Sequence, residues 1–252
     1  MKVVAYVIHL RRSVSRIEAV KELQARCPVP TLIQDAVDGS LLDEQSMSSC
    51  YARSLFSPKY PFTLRPAEIA LFISHRSCWR RMIDEGADAA LVLEDDASLA
   101  SEFDEAFSLA SEHVHELGVI QFTVRKFRGK ARTVVSSTGV TGPRIHEHVV
   151  VPLRTVAQLV SQEAARRLLV ATERFDRPID TFLQLRNITG QRVYSMYSTG
   201  VVHGTSEVGG TTIHTGGKQA GFLERELKRF IYRSSVRRLS RRYWNSEISG
   251  TK

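Results

Sequence analysis

Cysteine is scarce in this chain, and the three that occur, Cys27, Cys50 and Cys78, are odd in number and far apart. They supply neither a disulfide framework nor the paired spacing of a zinc site, which favours a reducing, cytoplasmic setting. No apolar run approaches the ~20 residues that a membrane-crossing helix needs. The short apolar N-terminus, Met1 to Leu10, lacks a small-residue cleavage pattern and continues into Arg11-Arg12, so it reads as a strand and not as a secretion signal. Internal repeats and low-complexity tracts are missing too. What is present, a hydrophobic content of 42% over 252 residues, suits one globular domain with a full core, or one domain plus an appendage.

The formal net charge of +8 is unevenly placed. Residues 1–217 carry 25 basic and 24 acidic side chains, whereas 218–244 carry nine basic against Glu224 and Glu226. The chain therefore divides into a nearly neutral body, 1–217, and a basic C-terminal segment, 218–252. In that segment Leu223, Leu227, Phe230, Ile231, Leu239 and Tyr243 interleave with arginines at helical spacing. Such a helix suits the surface of an anionic inner membrane, with Tyr243-Trp244 at the headgroup boundary. The competing reading is a helix packed on the body with a solvated basic face. A nucleic-acid-binding module is a further alternative; the neutral body argues against it, because such surfaces usually extend across the fold.

Along the chain, Val3 to Ile8 reads as a strand, Val14 to Arg26 as a helix ended by Pro28 and Pro30, and Thr31 to Val37 as a second strand closed by the turn Asp38-Gly39. Residues 40–65 are irregular, and Pro66 opens a helix whose apolar face is Ile69, Phe72, Ile73, Trp79, Met82 and Ile83, stopped by Gly86. A helix over 102–115, a strand over Val119 to Val124 and an exposed basic turn over Lys126 to Arg132 follow. His148 to Leu159 is β-rich, Ser161 caps a helix reaching Leu169, and Val193 to Val202 holds another strand. Gly204 to Gly217 contains five glycines and reads as a mobile loop. Strands alternating with helices predict an α/β sandwich, which binds ligands at strand carboxyl ends.

At such an end lies Ala89-Ala90-Leu91-Val92-Leu93-Glu94-Asp95-Asp96, an aliphatic run of the kind buried on both faces, closed by three carboxylates. Three adjacent acids repel unless a cation or a set of donors neutralises them. Strand alternation sends Glu94 and Asp96 to one side and Asp95 to the other. Two oxygen ligands there suit a hard divalent ion that also holds a diphosphate. Helix capping or a solvated turn is the plainer alternative.

Several blocks in order resemble glycosyltransferase family 25, the bacterial lipooligosaccharide and lipopolysaccharide transferases related to collagen galactosyltransferases. They are Val7-Ile8-His9-Leu10-Arg11-Arg12-Ser13 with Arg16, Ala36-Val37-Asp38-Gly39, Glu68-Ile69-Ala70-Leu71-Phe72-Ile73-Ser74-His75, Ala90 to Asp96, and Pro178-Ile179-Asp180. The likeness spans residues 3–203. It departs from the family pattern at His9, where Asn is usual, at Pro66-Ala67, where Gly commonly precedes the Glu, and over Arg154 to Ser161, which lacks the family's Gly and Tyr.

The resemblance implies a GT-A-like, Rossmann-like fold, a UDP-sugar donor, inverting transfer of galactose or glucose, and a divalent metal, Mn2+ or Mg2+. Asp96 is then the direct metal ligand, Glu94 turns to the ribose or to water on the metal, and Asp95 orients one of them. Arg11, Arg12 and Arg16, between a strand end and a helix start, suit phosphate, or else form a solvated basic face. Asp38-Gly39 holds uracil or ribose, or is a plain turn. His75 is a sugar or metal-site contact, or a partner within the fold. Asp180 is the candidate catalytic base, with helix capping its alternative. His203 and His214 flank the glycine-rich loop, and His214 is taken as the third metal ligand. The acceptor implied is a lipid-linked lipooligosaccharide core, reached by a cytoplasmic enzyme peripheral on the inner face of the membrane. Metal-dependent phosphoryl or nucleotidyl transfer uses similar carboxylates and is the enzymatic alternative.

Overall fold

The computed structural model describes residues 1–127, 129–137, 142–203 and 222–250. In chain order the elements begin with β1 (Val3–His9), a 3-10 turn (Val14–Arg16), α1 (Ile17–Arg26), β2 (Thr31–Asp35), α2 (Glu44–Cys50), α3 (Pro66–Asp84), β3 (Ala89–Glu94), β4 (Ala97–Leu99) and α4 (Phe103–Leu117). They continue with β5 (Val119–Phe122), β6 (Ala131–Ser136), β7 (Arg144–His148), β8 (Ala157–Ser161), α5 (Gln162–Ala171), α6 (Ile179–Phe182), α7 (Arg186–Thr189), β9 (Val193–Met196), β10 (Val201–His203) and α8 (Phe222–Gly250).

Eight strands form one sheet in the order β2-β1-β3-β8-β5-β9-β7-β6, and β4 pairs with β10 in a separate ribbon. β1, β2 and β3 run parallel, while β8 lies antiparallel between β3 and β5. The aliphatic run of β3 is buried on both faces, as its composition predicts. Leu91 and Leu93 join α1 and α4 in one core layer, where Leu23, Phe103 and Val114 pack. Ala90 and Val92 join α3 and α5 in the other, with Phe72, Trp79 and Leu168. The result is the α/β/α sandwich that the alternation of elements predicts, of the GT-A-like kind that the resemblance implies.

Three segments differ from the sequence reading. Within 40–65 lies α2, capped by the Asp43 carboxylate, which accepts from Ser46 N at 2.7 Å. It buries no residue, so it carries no amphipathic pattern to detect. The β-rich stretch 148–159 divides into the end of β7 and the start of β8. Pro152, which lacks an N–H, and Arg154, at φ 90°, interrupt it. The span 193–202 divides at Ser198 and Gly200, both at positive φ. A Cβ at Gly200 would stand 2.7 Å from Phe103 N, so only glycine lets the chain pass α4 there.

Within the basic segment, residues 222–250 form a helix with two apolar faces. Tyr232, Val236 and Trp244 are buried against the body, and Leu239 and Tyr243 line a small cavity beside His148. Leu223, Leu227, Phe230 and Ile231 stay exposed. Leu223 and Leu239, read from the sequence as one stripe, are 16 positions apart, about 160° around the helix. Trp244 lies under Arg132, 5.0 Å from its ring, which removes it from the headgroup role expected of it.

Arg177 pins this helix. Fully buried, it pairs with Asp176 (Nε–Oδ1 2.6 Å), donates to Tyr232 Oη at 2.8 Å and reaches the carbonyls of Phe56 and Pro58 at 3.1 and 3.0 Å. Arg177→Met strands the buried Asp176 charge. It is expected to lower stability by about 3–5 kcal/mol in urea denaturation and to open 222–250 to protease. Unchanged stability and protection would show that Arg177 does not hold α8.

Candidate active site

The strand ends at Glu94, so Asp95 and Asp96 form the turn into β4. Each carboxylate is met by its own partners. Glu94 continues the face of Ala90 and Val92 toward α3, where His75 Nε2 lies 3.3 Å from Oε1; Thr155 Oγ1 donates to the same oxygen at 2.6 Å. Oε2 has no hydrogen bond among the described residues. Burial pushes the Glu94 carboxyl up, but His75, Thr155 and His203 outweigh it, and its pKa falls below the ordinary value.

Asp95 turns toward α1. Its Oδ2 lies 2.9 Å from His9 Nδ1, and its Oδ1 accepts from Arg16, all three side chains being buried. Asp96 faces His203 (Nε2–Oδ2 3.3 Å), delivered by the pairing of His203 with Ala97 across the β4–β10 ribbon. Burial and then the Glu94 charge push the Asp96 carboxyl up, against the pull of His203 and Arg16. Asp96 Oδ1 is buried with no hydrogen-bond partner among the described residues.

These carboxylates border a cleft of about 850 Å³ at the carboxyl ends of β1 and β3, with Arg12, Arg16, Gly39 and Ser74 also in its wall. Arg12 pairs with Asp38 (Nε–Oδ2 2.6 Å), and Ser40 donates to Asp38 through both N and Oγ. The two Ser40 bonds, with Arg12 adding to them, hold the Asp38 carboxyl below its usual range. Gly39 abuts the first turn of α3: a Cβ would stand 2.8 Å from backbone atoms of Pro66 and Ala67. The Asp-Gly pair is thus fixed by close backbone approach, beyond any turn preference.

Arg11 and His75 lie outside the cleft wall. Arg11 points to the surface, where Asp35 takes its Nε at 2.7 Å, and it does not border the cleft. The His75 side chain is 0% exposed, and Glu94 is the side chain it is seen to meet. His214 lies outside the described residues; of the two histidines considered, His203 is the one seen beside Asp96. The sequence reading missed Thr155 and the anchoring role of His9. The departure from Asn at position 9 was the available signal.

Asp180 sits in the first turn of α6, with no side-chain cap on that helix. Its Oδ1 accepts from Thr181 N (2.6 Å) and Oγ1 (3.0 Å), and its Oδ2 from Arg154 N (3.3 Å). Burial raises its pKa despite those bonds, and the Glu94 charge adds to the rise.

Among the described residues no three His, Cys, Asp or Glu side chains converge as a ready-made metal cage. Magnesium-like ions are commonly held by one or two carboxylates together with substrate phosphates. Asp96, whose Oδ1 has no hydrogen-bond partner among the described residues, offers one such carboxylate, and Glu94 borders the same cleft.

The sequence profile described as "Glycosyltransferase family 25 (LPS biosynthesis protein)" matches residues 3–183. Procollagen galactosyltransferase 2 of Homo sapiens is 24% identical over 185 residues, which cover 71% of this chain and 29% of that protein. Procollagen galactosyltransferase 1 of Danio rerio is 26% identical over 191 residues, 69% of this chain and 29% of that protein. The chain thus spans less than a third of the length of the curated relatives it matches. Among solved structures, a glycosyltransferase involved in the glycosylation of the major capsid of PBCV-1 aligns at TM-score 0.37 and 9% identity, over 68% of this chain and 65% of that one. With the profile covering most of its length, from β1 through α6, this chain belongs to glycosyltransferase family 25.

Proposed function

We propose that this glycosyltransferase moves galactose or glucose from a UDP-sugar to a lipid-linked lipooligosaccharide or lipopolysaccharide core, with inversion at the anomeric carbon. The observation that carries the reading is the carboxylate turn after β3, opening into a cleft that Arg12 and Arg16 border. Asp96, with Glu94 and His203 beside it, would hold a divalent ion, Mn2+ or Mg2+. When bound, that ion supplies positive charge to the departing diphosphate. Arg12 adds charge on the same side, and Arg16 holds Asp95 in place. Asp38, Gly39 and the free oxygen of Glu94 are the groups on hand for uracil and ribose.

Asp180 takes the proton from the acceptor hydroxyl. As that oxygen bonds to the anomeric carbon from the face opposite UDP, the bond from carbon to the diphosphate oxygen breaks, and UDP leaves with the electron pair. The backbone N–H groups on Asp180 hold its orientation, and its raised pKa makes it a better base than an ordinary carboxylate.

The procollagen relatives are galactosyltransferases by name, which supports a hexose donor here. No helix among the described residues is long and apolar enough to cross a membrane. The exposed Leu223, Leu227, Phe230 and Ile231, flanked by basic residues, support peripheral attachment of a cytoplasmic enzyme to an anionic inner membrane.

Asp96→Asn is expected to lower manganese-dependent UDP release with a core acceptor by on the order of 100-fold, with the fold intact by circular dichroism. Activity at the wild-type level would remove Asp96 from the mechanism. Asp180→Asn should cost about 10²–10⁴ in kcat. Because the base works ionised, wild-type kcat/KM should rise with pH along a limb above the ordinary carboxylate range, and the variant's residual rate should lack that limb. A profile identical in both proteins would assign the proton to another group. Replacing Leu227 and Phe230 by Ser should reduce co-sedimentation with phosphatidylglycerol vesicles; undiminished binding would argue against attachment through this face.

A further inference from the structure

A second and larger cavity, about 1320 Å³, lies between α8 and the body. Its wall carries Lys130, Arg229, Arg233, Arg237 and Arg241, and the described lining includes no Asp or Glu. On α8, Lys228 outside the wall reaches Glu224 at 2.6 Å, and Arg229 within it pairs with Glu226. Lys130, Arg233, Arg237 and Arg241 have no ion-pair partner among the described residues. These four cations, gathered around one concave wall, repel one another, and the concavity focuses their field, so an anion bound there is favoured.

The other part of the wall is aromatic. Tyr60 and Tyr232 meet edge to face with centroids 5.3 Å apart, and Phe62 lies 5.7 Å from Tyr60. Tyr–Phe surfaces of this kind accept the C–H faces of sugar rings while guanidinium groups take carboxylate or phosphate oxygens.

The cavity also adjoins the chemistry. Thr181 lies in its wall and donates to Asp180 through both N and Oγ1. On the other side, Arg154 N donates to Asp180 and the next residue, Thr155, donates to Glu94 in the wall of the donor cleft. Asp180 is thus tied by hydrogen bonds to the walls of both, where a base must stand to serve an acceptor entering from the basic cavity.

We propose that the cavity under α8 is the acceptor subsite and that it selects an anionic saccharide, one bearing carboxylate or phosphate groups. This rests on the transferase reading above for its role, and it makes α8 a wall of the active site as well as an attachment helix. The basic side chains then read the acceptor's charge, and the tyrosines its rings.

The probes are tetragalacturonate and the neutral maltotetraose, titrated calorimetrically into the full chain at low and moderate salt. The acid should bind about tenfold or more tightly than the neutral sugar, with the margin shrinking as salt rises. Arg233→Glu with Arg237→Glu should abolish the margin, and Lys at both positions should retain most of it. UDP titrated into the same samples reports that the donor cleft is folded. Equal binding of the two sugars by the wild type, or a margin that survives charge reversal, would overturn the proposal. So would charge reversal that weakens phosphatidylglycerol vesicle binding but leaves the saccharide margin intact, because the arginines would then serve lipid. An arginine-dependent margin in a chain that releases no UDP from any UDP-hexose would uphold the anion site and defeat the transferase reading separately.

Discussion

Crowding of negative charge at the end of β3 is the constraint to which the surrounding structure answers. Three consecutive carboxylates at a half-buried strand end are tolerable only because each is separately compensated. Arg16 and His9 meet Asp95 from the α1 side, while His75 and Thr155 meet Glu94 from the α3 side and β8. His203 reaches Asp96 on the β10 ribbon. The compensation is incomplete at Asp96, whose buried Oδ1 lacks a partner among the described residues. That residual deficit of positive charge lies on the wall of a cleft bordered by arginines, the site proposed above for the donor.

A second buried charge organises the other side of the molecule. Arg177 and Asp176 are a fully buried pair whose remaining donors are taken up by backbone carbonyls and Tyr232. Adjacent in sequence to Pro178 and Asp180, the pair couples the position of α6 to that of α8. The aromatic wall of the basic cavity and the candidate base are thus set by one ion pair. A tail that composition alone describes as an appendage is in this way packed into the fold.

The parts of the fold that were legible beforehand were those governed by local rules. The aliphatic runs of β1 and β3, the proline start of α3 and the serine cap of α5 declare themselves through periodicity and termini. α2 leaves no such mark because only Met47 and Cys50 pack against the core and neither is fully buried, and the breaks at Arg154, Ser198 and Gly200 leave none because backbone passage around neighbours decides them. The tail's apolar residues were correctly read as helical, but their division into a docked and an exposed face depends on what the helix rests against.

The sequence by itself determined that three acids close a buried strand, that basic residues follow the first strand, and that the charge excess resides in one C-terminal helix. Those are properties of neighbours along the chain, set by composition and alternation. Tertiary structure alone decided which acid meets which partner: Arg16 turned inward to Asp95 while Arg11 turned out to Asp35. It alone brought His203 to Asp96 across more than a hundred residues, and gathered Lys130 with the arginines of α8 around one cavity. Such meetings arise from sheet register and helix docking, which depend on the packing of the whole core and leave no mark at the residues they join.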